Sequence, residues 1–244
     1  PLDPNCHEDW WYVHKVYVFV KELATRVCSI DPDAYKRIVA YQVENEMNHG
    51  WHHKNWNQEW EVTLLVHGSN SIREAEIDAG VWSLTGRYTP IAFNPSLDWN
   101  LLEVSLSAIL GAGGLVAYLL SQGTYFDYIE DVLNDPDSRI DIIGLDFYPG
   151  SWIPWATEED LKEVVEELCG RYGLQSSYGK YILVTETGYS GGTSPTRDDD
   201  QRDYYRDMTT ILKDYYHRGG KGKGFIGILW YQLLWCWLKK RRNT

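Results

Sequence analysis

The chain has 244 residues, of which 43% are hydrophobic and 24% are charged, so it can bury a substantial core and is too apolar for wholesale disorder. Its formal net charge of −12 argues against nucleic acid or an anionic membrane as the main partner. No apolar run reaches transmembrane length and no signal peptide is visible. Because the chain starts with Pro1 rather than Met, both a cytoplasmic and a secreted location stay open. The sequence does not indicate an oligomeric state.

The aromatic residues are strongly biased toward types with a polar group. Trp (12) and Tyr (18) outnumber Phe (5), a bias that is common in cores and also in sugar-binding clefts. The four cysteines are widely spaced and form no Cys-x-x-Cys motif, which indicates neither a zinc site nor a disulfide scaffold. We expect Cys28 and Cys169, which fall in helical patterns, to be small buried hydrophobic residues.

Helical and extended patterns alternate along the whole chain. Helices are predicted over about 10–27, 58–79, 118–133, 157–169 and 201–217, and strands over 37–45, 88–94, 140–147, 181–185 and 225–230. Thr157 and Asp160 have the spacing of a capping box at the fourth helix. Strands that are almost continuously apolar and alternate with helices predict an α/β fold with a parallel sheet covered by helices.

Three stretches fall outside this alternation. Residues 51–60 and 188–200 are predicted to be loops because of their polar and glycine-rich composition. Residues 95–117 are ambiguous, because Gly111-Ala112-Gly113-Gly114 would break a helix there. No Lys-Ser/Thr pair follows these glycines, so a phosphate-binding loop is not indicated.

Each predicted strand ends in a polar or aromatic residue: Glu46, Asn94, Tyr148, Glu186 and Trp230. Chemistry in parallel α/β folds is carried by the C-terminal ends of the strands. Two carboxylates, Glu46 and Glu186, facing a cleft lined with aromatic rings suit glycoside hydrolysis, in which one acid donates a proton and the other attacks the anomeric carbon. The competing interpretation is that both are rim residues in surface ion pairs.

Two segments resemble the signatures of one enzyme group. Val43-Glu44-Asn45-Glu46 and Val184-Thr185-Glu186-Thr187-Gly188-Tyr189 are similar to the fourth- and seventh-strand motifs of clan A retaining glycoside hydrolases. That group has (β/α)8 barrels and includes the family 5 cellulases and mannanases and the family 53 galactanases. The resemblance covers roughly residues 7–235.

The resemblance implies a role for each matching residue. Glu46 is similar to the acid/base, Asn45 to the residue that holds the sugar 2-hydroxyl, and Glu186 to the nucleophile. Tyr148 resembles the tyrosine that hydrogen-bonds the nucleophile, and Trp230 resembles the platform under the sugar. The implied partner is a β-linked oligosaccharide or polysaccharide, and no metal or organic cofactor is implied.

Several nearby residues carry two interpretations. Glu44 is expected to be a buried, hydrogen-bonded acid rather than a catalytic one, because it lies deeper in the strand. His49, His52 and His53 are expected to line the cleft, since their spacing fits no standard metal site. Trp152 could stack on sugar or plug a gap between loops, and Asn94 could contact substrate or cap a turn.

The Asn45-Glu46 motif falls on the first predicted strand, whereas the clan places it on the fourth. We therefore expect a partial barrel, strands 4–8 with covering helices, in a single N-terminally incomplete domain over 1–238, followed by a basic tail over 239–244. The sixth strand ends in Asp146-Phe147-Tyr148 rather than the His-x-Tyr of family 5, which leaves the sugar open.

The leading hypothesis is a retaining β-glycosidase. The alternative hypothesis is a non-catalytic, carbohydrate-binding remnant of such a barrel. A third hypothesis is a metal-dependent hydrolase that uses the histidines.

Overall fold

The computed structural model describes residues 9–45, 58–95, 123–148, 157–188 and 196–230. Helices and strands alternate along these ranges, as predicted. The elements are α1 Asp9–Ile30, α2 Pro32–Tyr35, β1 Tyr41–Gln42, α3 Gln58–Asp78, α4 Val81–Thr85, β2 Ile91–Phe93, α5 Gly123–Asn134, β3 Ile142–Asp146, α6 Glu158–Tyr172, β4 Tyr181–Thr187, α7 Thr196–Tyr215, α8 Lys221–Lys223 and β5 Phe225–Trp230, with a π-helical turn Tyr216–Gly220 between α7 and α8.

The five strands form one sheet in the order β1-β2-β3-β4-β5. The pairings are parallel, with Tyr41 opposite Ile91, Ala92 opposite Ile142, and Ile182 opposite Phe225. Parallel neighbours that follow one another in sequence need a crossover connection, and helices lie between them in the chain. The predicted α/β class with a parallel sheet is therefore confirmed. Within the described ranges, no helix combines the length and the apolar character needed to cross a membrane.

Several predicted boundaries were wrong, including the start of the second strand, which is Ile91 rather than residue 88. Two other cases have a clear physical reason. The first strand covers only Tyr41–Gln42 instead of 37–45, because its partner β2 has three residues and because Glu44, at φ 56°, leaves the extended conformation. The loop predicted over 188–200 gives way to helix α7 from Thr196. Asp199 and Asp200 near the helix start suit its positive end, an effect that the loop prediction did not take into account.

The described residues fall into two compact units, which divide between Ile143 and Gly144. In the first unit α1 and α3 pack together, and a buried cluster joins Ala24, Cys28, Tyr35 and Val81. Helix α3 comes very close to the chain after β1, since a Cβ added at Gly68 would lie 2.9 Å from Val43 Cγ1. The absence of a side chain at Gly68 thus permits this close approach.

In the second unit helix α6 buries an apolar stripe formed by Leu161, Val164, Val165, Leu168 and Cys169. Its capping box is confirmed: the Thr157 backbone N–H donates to Asp160 Oδ2 at 2.7 Å, and the Asp160 N–H donates to Thr157 Oγ1 at 3.3 Å. Cys28 and Cys169 are both buried free thiols, as expected, and burial raises the pKa of Cys169 to about 11. That residues 1–238 form one domain stays a prediction.

A buried carboxylate, Glu76, ties the first unit together near the start of β2. Its side chain is 0% exposed and accepts hydrogen bonds from Arg73 Nη1 at 2.8 Å, Tyr35 Oη at 3.0 Å and the Thr89 backbone N–H at 3.0 Å. Arg73 Nη2 also reaches Asp141 Oδ2 at 3.1 Å, just before β3. A buried charge is tolerated only when it is paired and hydrogen-bonded, and here both conditions are met.

We expect Arg73→Met to lower the free energy of unfolding by about 3–5 kcal/mol, because it leaves the Glu76 charge buried without its cation. Arg26→Met is the matched control, since its pair with Glu22 is exposed and should contribute at most about 1 kcal/mol. Urea unfolding of both variants measures the difference. Equal losses would show that the Glu76 cluster does not stabilise this unit.

Candidate functional site

Glu186 lies on β4, one residue before the strand ends. Successive side chains on a strand point to opposite faces, so Glu186 faces away from Thr185 and Thr187. The Thr187 hydroxyl is buried and hydrogen-bonded to Tyr204 Oη of helix α7 at 2.6 Å. Thr187 therefore faces the helix layer, and Glu186 faces the opposite side of the sheet, where it is partly exposed.

Tyr148 contacts the Glu186 carboxylate directly. Its hydroxyl donates to Glu186 Oε2 at 2.5 Å. The backbone supports the contact, since the Phe147 N–H donates to the Glu186 carbonyl oxygen at 3.0 Å and holds the two chain segments side by side. A short hydrogen bond to a carboxylate stabilises its ionised form. The predicted neighbours Tyr148 and Glu186 are thus brought together.

Polar side chains behind Glu186 are closed to solvent. Thr185 Oγ1 donates to Asp146 Oδ1 at 2.7 Å, and both residues are buried. Burial raises the pKa of Tyr204, so its hydroxyl stays protonated at neutral pH beside Thr187. These contacts fix β4 on either side of Glu186 in the sequence.

Trp230 is the last residue of β5 and lies in register with Thr187 of β4. Its ring packs edge to face with Tyr205, with ring centroids 4.7 Å apart and an interplanar angle of 89°. Trp230 is half-buried, so part of the indole is held and part is accessible. The second unit therefore places an aromatic ring beside the end of the strand that carries Glu186.

Asn45 and Asn94 lie together in the first unit, with Gln42 as a third member; we call these three residues the amide cluster. Asn94 Nδ2 donates to Asn45 Oδ1 at 2.7 Å. Gln42 Nε2 donates to Asn45 Oδ1 and to Asn94 Oδ1, both at 3.0 Å. Asn94 is 3% exposed, whereas Asn45 is exposed. Asn94 therefore uses its amide on protein neighbours, and a substrate contact for it stays a prediction.

Glu44 is half-buried and hydrogen-bonded to Tyr12 of α1, which agrees with the expected structural role for this acid. The reason given for that role was wrong, because Glu44 does not lie within a strand. It adopts a left-handed conformation, φ 56°, that costs a non-glycine residue energy and persists only where surrounding contacts hold it. Burial, and then the contact with Glu44, raises the pKa of Tyr12, which stays a hydrogen-bond donor.

Two of the predicted site residues, Glu46 and Trp152, lie outside the described residues, as do His49, His52 and His53. The role of Glu46 as acid/base stays a prediction. Among the ranges that the structure describes, no group of three or more His, Cys, Asp or Glu side chains could hold a metal ion.

Three residues that contact the candidate site or its neighbours were not predicted from the sequence: Gln42, Tyr12 and Tyr204. Gln42 carried a usable signal, since it is a polar residue within an apolar strand just before the Asn45-Glu46 motif. Tyr12 and Tyr204 carried none, because tyrosines in helical apolar patterns do not reveal which carboxylate or hydroxyl they contact.

No protein-family model matches the chain, and no curated protein matches it either. Solved structures do. A β-glucosidase from Exiguobacterium marinum is 15% identical, with a TM-score of 0.51 over 93% of this chain and 61% of that one. The virulence factor SghA, solved with its substrate analogue salicin, is 16% identical, with a TM-score of 0.48 over 91% and 58%. A family 1 β-glucosidase from Thermotoga maritima is 13% identical, with a TM-score of 0.43 over 89% and 58%.

The chain spans less than two thirds of the length of each of these glycosidases. At such low identity a match speaks to the fold alone, and of the three structures named above the Exiguobacterium marinum enzyme is the one whose TM-score exceeds 0.5. Together with the parallel sheet, that likeness establishes a glycosidase-like α/β fold, a partial (β/α)8 barrel.

Proposed function

We propose that this chain is a retaining glycoside hydrolase that cleaves β-glycosidic bonds by double displacement. The observation that carries the proposal is the Tyr148–Glu186 hydrogen bond on a glycosidase-like fold. A carboxylate at the end of a parallel strand that accepts a hydrogen bond from a phenol has the position and the partner that suit a nucleophile in such a reaction.

In the proposed mechanism Glu186 attacks the anomeric carbon and forms a glycosyl-enzyme. Glu46 donates its proton to the departing glycosidic oxygen in the first step, and then removes a proton from the water that hydrolyses the intermediate. Tyr148 holds Oε2 of Glu186 in place, and Trp230 provides an accessible aromatic face for the sugar. The clan A assignment, including families 5 and 53, belongs to this proposal.

The proposed partner is a β-linked oligosaccharide or polysaccharide. SghA and the Thermotoga maritima enzyme have been solved with salicin and with isofagomine lactam respectively, which supports testing sugar ligands first. The net charge of −12 disfavours a polyanionic partner. Sugar binding without turnover would instead favour the non-catalytic alternative.

Azide rescue distinguishes the two carboxylates. With 4-nitrophenyl β-D-glucoside as substrate, we expect Glu186→Ala to lower kcat/KM by at least about a hundredfold. We expect Glu46→Ala to lower kcat by a similar factor, because the nitrophenolate leaves without a proton donor whereas hydrolysis of the glycosyl-enzyme loses its base. Azide should restore turnover in both variants, giving the α-glycosyl azide with Glu186→Ala, because azide attacks directly, and the β-glycosyl azide with Glu46→Ala, because it attacks the glycosyl-enzyme. Product stereochemistry is measured by proton NMR.

Glu163→Gln, an exposed carboxylate on α6, is the matched control and should leave the rate unchanged. Turnover by the unmodified chain that survives both alanine substitutions would overturn the assignment of Glu46 and Glu186. Absence of turnover by the unmodified chain, with glucoside binding retained in calorimetry, would replace the proposal with carbohydrate binding alone.

Tyr148→Phe should lower kcat/KM about ten- to a hundredfold, because hydrogen bonds to charged groups contribute about 1.5–3 kcal/mol. Tyr181→Phe serves as the control, because it removes a hydroxyl from the exposed start of β4, the strand that carries Glu186. Steady-state kinetics on the same glucoside measures both. Equal rates in the two variants would show that the Tyr148 hydroxyl does not assist Glu186.

A further inference from the structure

The amide cluster is a closed ring of hydrogen bonds with a definite direction. Gln42 supplies Nε2–H groups to both asparagine side-chain oxygens at 3.0 Å, and Asn94 supplies an Nδ2–H group to Asn45 at 2.7 Å. Asn45 Oδ1 thus accepts two N–H groups, which matches the two lone pairs of an amide oxygen. The ring joins the end of β1 to the end of β2 inside the first unit.

This ring determines how the Asn45 amide is oriented. If this amide alone were turned over, its own NH2 group would meet the two donors, and both hydrogen bonds would be lost. If all three amides were turned over together, Gln42 Oε1 would face the Glu44 carbonyl oxygen, which accepts from Gln42 Nε2 at 3.3 Å, and that bond would be lost. The Asn45 oxygen therefore faces the ring, and its N–H pair faces outward on an exposed residue.

The backbone under Asn45 is held as well. Gln42 Nε2 contacts the Glu44 carbonyl oxygen at 3.3 Å, and Glu44, in its left-handed conformation, is hydrogen-bonded to Tyr12. Val43 is buried and packs against α3 at Gly68. A left-handed glutamate persists only where contacts impose it, and these contacts also set the position of the next residue, Asn45.

We propose that Gln42 and Asn94 are positioning residues that hold the Asn45 amide with its N–H pair outward, so that Asn45 offers only donors and selects a sugar with an acceptor oxygen at C2. This inference rests on the proposed glycosidase function for its ligand, whereas the orientation of the amide does not. A purely structural role for the ring would lower stability without changing the preference for a 2-hydroxyl group.

Two nearly isosteric substitutions separate these roles. Asn94→Asp replaces the Nδ2 donor with an oxygen, so the Asn45 amide is expected to turn its NH2 group inward toward the new carboxylate. Asn45→Asp keeps an acceptor inside the ring and replaces the outward NH2 group with an oxygen. Asn70→Asp is the control, because Asn70 donates to Glu74 on the exposed side of α3, away from the ring.

The kinetic test compares 4-nitrophenyl β-D-glucoside with its 2-deoxy analogue. We expect the ratio of their kcat/KM values to fall about tenfold in Asn94→Asp and Asn45→Asp, the effect of one lost hydrogen bond, and to stay unchanged in Asn70→Asp. A ratio that is unchanged in Asn94→Asp would overturn the proposal, even if the absolute rates fall.

The second test needs no turnover, so its outcome is independent of the proposed function. The side-chain NH2 signal of Asn45 in a proton–nitrogen NMR spectrum is identified by its loss in Asn45→Asp. In the unmodified chain this group should exchange rapidly with solvent, and in Asn94→Asp exchange should slow about tenfold as the group turns inward to a charged acceptor. Unchanged exchange would contradict the assigned orientation.

Gln42→Glu provides a second variant in case Asn94→Asp does not fold, because Gln42 is exposed and its replacement also turns a ring donor into an oxygen. The same slowing of Asn45 exchange is expected, and its absence would overturn the role of Gln42. Loss of all turnover with the exchange results as expected would refute the glycosidase proposal and leave the oriented amide standing.

Discussion

Parallel pairing of short strands brings residues far apart in the sequence into contact in both units. In the first unit Gln42 of β1 lies opposite Ala92 of β2, so the chain segments that follow these strands run side by side and their amides meet. In the second unit the hydrogen bond from the Phe147 backbone to the Glu186 carbonyl aligns the end of β3 with β4 and brings Tyr148 to the carboxylate. Both groups of side chains depend on this alignment, because nothing local in the sequence would join them.

The alternation of side chains along a strand divides the polar residues of β4 between two tasks. The hydroxyls of Thr185 and Thr187 form hydrogen bonds with Asp146 and Tyr204 respectively, in contacts that are closed to solvent. Glu186, between them, is left partly exposed with Tyr148 beside it. Satisfied buried hydrogen bonds are rigid, so they hold the one carboxylate that faces the other way.

In the first unit the two ends of the strands also differ: buried, hydrogen-bonded groups lie at the N-terminal ends, and exposed or strained groups lie at the C-terminal ends. The Glu76 network contacts Thr89 and Asp141, which precede β2 and β3, and it is a buried ion pair with nearly every acceptor satisfied. At the other ends of the strands, the amide cluster includes the exposed Asn45, and the strained Glu44 lies next to it in the chain. In (β/α)8 proteins the N-terminal ends of strands serve stability and the C-terminal ends serve chemistry, and the Glu76 network lies at the end that serves stability.

The sequence by itself determined the alternating elements, the parallel class, the capping box and the pairing of Tyr148 with Glu186, since hydrophobic periodicity and capping are local properties and the tyrosine came with the family motif. Only the tertiary structure decided the short β1, the left-handed Glu44 and the ring of Gln42, Asn45 and Asn94. Those features depend on how much of a neighbouring strand is available to pair with and on which donors meet which acceptors across the sheet. Such long-range contacts leave no periodic pattern in the chain. The polarity of Gln42 within an apolar strand marks the residue as unusual, but neither this glutamine nor a helix tyrosine reveals which residue it will contact.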